Sequence, residues 1–340
     1  MKILCSGYHN PHYLTVTEHI ERAITDLGHQ LDVFDDRQHL IPGRLRRWID
    51  FFDSFSHRRI NRNFIKCALN GKPDIALVTG GHRINVGSLQ ALKAAHVQSV
   101  LWTTDAPIHF EPILSAAPFY DYIFCQGTEA IELMSEAGIR NARWLPMACD
   151  PSIHGKVRLS AEEQECYRND IVFVGSYHPN RAQIIKGLAD FDIAIWGPGW
   201  EGHTRESSLK AWIKGSHTPT DTWVKLYSAC KIILSIHYQE LENRFPVYQA
   251  SPRIFEALAC GAFVISDFQK DVFTLFKDGE HLVGFKNLDE LIEKIKYYLH
   301  HSEEREKIAN CGRQEVLKKH KYVNRLEKLV SFVGQSQAQV

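Results

Sequence analysis

Arg253 and Glu256 stand three positions apart in SPRIFEALACGAFVISD, residues 251–267. On a helix, that spacing puts a cation and a carboxylate on one face. The Cys260-Gly261 pair then ends the helix, and the apolar run 262–266 reads as a buried strand. A helix that brings these two groups to the carboxyl end of a parallel sheet suits a nucleoside diphosphate. The guanidinium pairs with phosphate, and the carboxylate accepts hydrogen bonds from ribose hydroxyls. An ordinary helix–turn–strand unit has the same pattern.

Other strand ends in this half carry residues of the same kind. Gly175 and Ser176 follow a strand and precede a helix starting near Arg181. Amides in such a turn favour an anion, and Asn180 and Arg181 stand where they reinforce it, although any βα turn looks similar. Trp196-Gly197-Pro198-Gly199-Trp200 is a tight turn between two indoles. It is either one wall of a base pocket or a packed corner. His237 ends another strand, with Asn243 and Arg244 in the polar loop beyond. A lone histidine there is more often a hydrogen-bonded structural residue than a catalyst.

Metal chemistry finds little support. Asp190-Phe191-Asp192 has a cation-holding spacing but precedes its strand, at the amino end. His300-His301 sits among solvated neighbours, and HExxH, paired CxxC and P-loop motifs are absent. The first strand is not followed by GxGxxG, which disfavours a dinucleotide oxidoreductase.

The elements that must position these groups alternate between β-rich runs and amphipathic helical stretches, the mark of an α/β protein with parallel sheets. In the first half, strands are expected at 2–6, 31–34, 74–78, 99–103, 122–125 and 142–145, with helices at 15–27, 45–69, 88–95 and 129–137. Residues 146–169 hold two prolines and little periodicity, and read as a linker. In the second half, strands are expected at 171–174, 193–196, 232–236, 263–266 and 283–285, with helices at 181–188, 220–228, 253–259, 288–299 and 303–320. A closing helix at 323–333 is long enough to return to the first domain. The reading is two doubly wound domains, 1–155 and 156–322, facing across a cleft.

Length supports two domains, because one core rarely grows past ~250–300 residues and this chain has 340. Apolar content of 44% and charged content of 24% are ordinary globular values. Forty basic and forty acidic side chains give zero net charge, which argues against a general nucleic-acid binder. Eight cysteines stand singly, without metal or redox spacing, as reduced thiols do in a cytoplasmic protein. MKILCSGY reads as a first strand and not as a signal peptide. No apolar run approaches the ~18–20 residues that span a bilayer, although peripheral membrane contact stays open.

The segments DIVFVGSYHPNR, IAIWGPGW, SPRIFEALACGAFVISDF, LFKDGEHLVGF and EEREKIANCGRQEVLKKHKY, with MKILCSGYHN and VLWTTDAP in the first half, carry a resemblance. They are similar to GT-B-fold glycosyltransferases, and among these to the bacterial family of spore maturation protein CgeB-like glycosyltransferases. The likeness covers most of the chain and is more specific in the second half. It implies two Rossmann-like domains and transfer of a sugar from a nucleotide-diphosphate donor. By default the donor is a UDP-sugar, with no metal or other cofactor required. The acceptor would be a carbohydrate, a lipid-linked group or a protein.

The resemblance assigns Glu256 to the donor ribose, Arg253 to the diphosphate and Gly175-Ser176 to the phosphates. Asn180, Arg181, Gly197, Trp200 and His237 complete the donor side. It also gives the first domain to the acceptor. There Asp105, leaving a strand before Pro107, is a candidate base for an inverting reaction, with a helix cap or turn as its alternative. Gly7, His9, Asn10 and His12 form one polar loop facing the acceptor, and Gly81 and His82 belong to another. One departure is Tyr248, which stands where many retaining GT-B enzymes carry a second glutamate. A catalytically silent nucleotide- or sugar-binding module, or a sugar-nucleotide epimerase on the same fold, is the alternative function.

Overall fold

The computed structural model describes residues 1–37, 50–104, 110–203, 208–216, 219–239 and 246–337. Asp105, Asn243 and Arg244, all singled out in the sequence, lie outside the described residues. The chain divides into two units, Met1–Pro146 with the helix Tyr322–Gln337, and Met147–Lys321.

The first unit is a parallel sheet with the order β2-β1-β3-β4-β5-β6. Its strands are β1 (Lys2–Gly7), β2 (Gln30–Asp35), β3 (Ile75–Thr79), β4 (Gln98–Thr103), β5 (Tyr122–Cys125) and β6 (Ala142–Trp144). Every residue of β3 is buried, as expected for a central parallel strand covered on both faces. The strand β2 is only half buried because it lies at the edge. Helix α1 (Val16–Asp26) begins at a capping box in which Thr15 and Glu18 satisfy each other's backbone N–H. The chain order reverses between β1 and β3, so the loops after these strands diverge and leave a crevice at their carboxyl ends.

The closing helix Tyr322–Gln337 packs on this unit. Tyr322 is 2% exposed and stacks on His19 at 5.7 Å, and the Phe332 ring stands edge-on to Tyr122 at 5.8 Å. Arg325 Nε donates to the Pro146 carbonyl at 2.9 Å.

The second unit is a parallel sheet with the order β12-β11-β10-β7-β8-β9. Its strands are β7 (Ile171–Val174), β8 (Ile193–Trp196), β9 (Ile213–Gly215), β10 (Ile232–Ser235), β11 (Val264–Asp267) and β12 (Val283–Phe285). Counted within the unit, this is the doubly wound order 3-2-1-4-5-6, and the switch lies between β7 and β10. Phe173, Ile195, Leu234 and Ile265 interlock in its core.

Two local expectations were incomplete. The stretch 146–169 contains a helix, Ala161–Tyr167, opened by a capping box between Ser160 and Glu163. This helix buries none of its residues, so it shows no apolar period. Short helices at Glu111–Ala116, Trp200–His203 and Lys270–Leu275, and the three-residue strand β9, also escape periodicity because they complete one turn or less than two. Among the described residues, no helix is long and apolar enough to cross a membrane.

Candidate functional site

At the switch point of the second sheet, β7 runs into Gly175 and Ser176, and β10 runs into Ile236 and His237. The helix Pro252–Ala259 approaches the same edge and carries both Arg253 and Glu256. It forms because Pro252 presets the first helical turn, and four of its residues from Ile254 to Leu258 bury an apolar face.

The Arg253 guanidinium packs directly on Gly175. A Cβ at position 175 would lie 2.5 Å from Nη2, so a side chain there would displace the guanidinium. The same guanidinium stands 5.2 Å from the centre of the Phe173 ring, and that of Arg181 stands 5.7 Å from it. The two cations differ in one respect. Arg181 is buried and engaged at two nitrogens: Nε donates to the Ile236 carbonyl at 2.9 Å, and Nη1 donates to the Ser176 carbonyl at 2.9 Å and hydroxyl at 3.2 Å. It ties the two switch-point loops together. Arg253 Nη1, in contrast, is buried with no hydrogen-bond partner among the described residues.

Burial first, and Arg253 second, push the Arg181 pKa down to about 9, so Arg181 stays charged at neutral pH. Two positive charges thus crowd one aromatic ring, and one of them holds an unused donor. That arrangement suits an anion, which offsets the repulsion and accepts the free N–H. His178, at the N-cap of helix Pro179–Lys186, is pushed down to about 4 by burial and then by Arg181. It adds no third charge at neutral pH.

His237 takes a different part from the one the sequence allowed. It is 2% exposed, and both ring nitrogens are engaged. Its Nδ1 meets Asp267 Oδ1 at 2.6 Å, and Nε2 accepts the Ser251 N–H at 3.1 Å. Asp267 also receives the His237 backbone N–H and the Gln269 amide. Burial acts to raise the Asp267 carboxyl, but His237 and these hydrogen bonds outweigh it and hold it below the usual carboxylate range. His237 is therefore a strut between the end of β11 and the start of helix Pro252–Ala259, and it presents no ring nitrogen to a ligand.

Trp200 also turns inward. It is fully buried, donates from Nε1 to the Gly175 carbonyl at 2.8 Å, and meets Phe173 and Tyr177 edge-on. Of the two readings of the GPGW turn, the structure gives the packed corner, because the indole fills the core beneath the Gly175 loop. Gly197 has φ +138°, and its α-carbon faces the Gly175 carbonyl so closely that a Cβ has no space. Asn180 spends Nδ2 on the His237 carbonyl at 2.9 Å and keeps a buried Oδ1 without a partner among the described residues. At the Tyr248 position the ring lies 4.6 Å from Lys270 Nζ. Asp192, at the opposite strand end, accepts from the Asp170 backbone and the Asn169 amide.

The first unit has its own crevice, at the switch between β1 and β3. It is lined by Tyr8, Asp36, Arg37, Gly81, His82 and Arg83, among others. Gly81 and His82, expected on the acceptor side, are therefore brought together here. Gly7, His9, Asn10 and His12 are not in that lining. The Gly7 backbone abuts Thr79, His9 pairs with Glu21 at 2.9 Å, and Asn10 closes a local turn with Tyr8 and the His12 N–H. Sequence reasoning missed Asp36 and Arg37. The only signal was the pair Asp35-Asp36 at a strand end, which does not say which carboxylate points inward.

Residues 181–331 match a family model described as "Glycosyl transferase-like". The spore protein CgeB of Bacillus subtilis (strain 168) is 22% identical over 257 residues, covering 72% of this chain and 78% of CgeB. Among solved structures, Anabaena HepE in complex with UDP-glucose superposes with a TM-score of 0.68 at 14% identity, over 98% of this chain and 100% of HepE. Sucrose-phosphate synthase from Thermosynechococcus elongatus gives 0.71 at 12% identity, with both chains covered completely. These structural likenesses establish the fold. The chain has the GT-B fold, its residues 181–331 match the glycosyl transferase-like family model, and it is similar in sequence to CgeB.

Proposed function

We propose that this enzyme moves a glycosyl group from a UDP-sugar to an acceptor bound by the first unit, in the cytoplasm and without a metal ion. The observation that carries the donor half is Arg253: a half-buried side chain beside a glycine backbone, in the field of Arg181, whose buried Nη1 has no hydrogen-bond partner among the described residues. The choice of UDP draws support from HepE, which was solved with UDP-glucose.

In this reading the bond between the sugar's anomeric carbon and the diphosphate breaks, and the diphosphate leaves with the electron pair. Arg253, the Gly175 and Ser176 amides and the start of helix Pro252–Ala259 stabilise that charge in place of a metal. Glu256 holds the ribose hydroxyls. The acceptor oxygen forms the new bond and gives up its proton to a base, for which Asp105 is the proposed group.

Calorimetric titration with UDP, GDP, ADP, CDP and dTDP, with and without EDTA, tests this. Saturable binding of UDP that survives EDTA and weakens at least tenfold in Arg253→Ala supports it. A weakening of similar size in folded Glu256→Ala assigns the ribose contact. Binding of no diphosphate refutes the donor site, and binding abolished by EDTA refutes metal independence. Tyr248, at the position of the second glutamate, favours a silent binder as the competing reading. Measurable donor hydrolysis or transfer excludes that reading, and binding without turnover supports it.

A further inference from the structure

Asp36 lies one residue beyond β2, held by its backbone N–H on the Gly7 carbonyl at 3.0 Å. It is 4% exposed, and Oδ1 is buried without a hydrogen-bond partner among the described residues. A buried carboxylate oxygen left unmet is costly. The contrast within the molecule is Asp267, whose oxygens accept from three donor groups. Among the described residues nothing donates to Asp36 Oδ1, and the residue lines the crevice between β1 and β3.

The rest of that lining has a consistent chemistry. Gly80 and Gly81, both at positive φ, bring bare backbone to the crevice, where a side chain at 81 would strike Leu101. Arg37 is exposed and lies over the Tyr8 ring at 4.3 Å, which presents its guanidinium edge to solvent and ligand. Arg83 joins the same wall. An inward carboxylate acceptor calls for hydroxyl donors, and a guanidinium stacked on an aromatic face calls for an anion.

We propose that this crevice binds a saccharide carrying an anionic substituent, with Asp36 accepting a hydrogen bond from a sugar hydroxyl and Arg37 pairing with a phosphate or carboxylate. The transferase reading supplies only the name acceptor for this ligand. The crevice and the unmet oxygen stand without it.

Saturation-transfer NMR on the full chain, with glucose 6-phosphate, glucuronate and glucose as separate probes, tests the site. Transfer to at least one anionic sugar, weakened about tenfold in Asp36→Asn, is the expected result. Arg37→Ala, a change at an exposed side chain, should erase the preference for the anionic sugar over glucose. No transfer to any of the three probes overturns the proposal, as does unchanged affinity in folded Asp36→Asn. A preference for glucose over both anionic sugars overturns the role of Arg37. UDP titration of the same preparations reads the donor site independently. A chain that takes up sugar but no UDP refutes the donor reading and leaves this site standing. The reverse result refutes this site alone.

Discussion

Replacing Asp36 by Asn should make the protein more stable, and by an amount that depends on pH. Burial pushes the Asp36 carboxyl up from 3.8 to about 6, with Asp35 adding to the rise and Arg37 and Arg83 acting against it. The folded chain therefore holds its proton more tightly than the unfolded chain does. Below about pH 4 both states are protonated and the site costs nothing. As pH rises from about 4 to 6 the unfolded chain ionises first, and folding stability declines. Above pH 6 the full penalty is present, about 3 kcal/mol, because each tenfold difference in proton affinity between the two states is worth ~1.4 kcal/mol. Asparagine cannot ionise, so the variant escapes it. Its new N–H₂ also needs acceptors, which reduces the net gain to roughly 1–3 kcal/mol. For a unit of this size that is a rise of roughly 2–10 °C in Tm. Differential scanning calorimetry separates the transitions of the two units, and the comparison should be made at pH 4, 5, 6 and 7.5. The gap between Asp36→Asn and wild type should open across pH 4–6 and then stay constant. A gap independent of pH, or a variant less stable at pH 7.5, refutes the assignment of Asp36 as a buried, unmet carboxylate.

Two further outcomes follow from the second unit. Gly197→Ala places a methyl group against the Gly175 carbonyl at a φ that L-residues avoid, and should destabilise the protein by about 1–3 kcal/mol while loosening the Gly175 turn. Denaturant melts check the first effect and UDP titration the second; a neutral substitution contradicts the close approach. Asp267→Asn leaves the His237 ring and backbone donors short of acceptors and should cost about 2–4 kcal/mol. Because the Asp267 carboxyl is held low in the folded chain, its contribution is present above pH 4 and fades as pH falls below it. The Asp267→Asn deficit, read by urea unfolding, should therefore shrink from pH 7 to pH 3, and a deficit that grows on acidification refutes the strut.

The arrangement of elements was legible because it rests on local patterns. Ile171–Val174, Ile193–Trp196 and Val283–Phe285 are apolar runs bounded by breakers, and the sequence places their ends where the structure does. The helix bearing Arg253 and Glu256 was equally clear, because Pro252 opens it and Cys260-Gly261 close it. The helix Ala161–Tyr167 was hidden for a local reason as well. It has a cap but no buried face, and a search for apolar periodicity passes over it.

Strand, turn and helix are set by neighbours a few positions away, so the residues at the strand ends that could do chemistry are readable from the chain alone. What each of them does depends on packing. His237 is a strut because Asp267, thirty residues on, occupies its Nδ1, and Ser251 occupies its Nε2. Trp200 is core because the Gly175 carbonyl takes its N–H from another strand's loop. Asp36 lies buried, its Oδ1 unmet among the described residues, while its neighbour Asp35 is half-buried and accepts the Arg37 N–H. Arg181 and Arg253 look alike in the sequence, but backbone carbonyls engage Nε and Nη1 of the first, while Nη1 of the second has no partner among the described residues. Burial and the supply of hydrogen-bond partners are properties of residues distant in the chain, so only the packed structure assigns them.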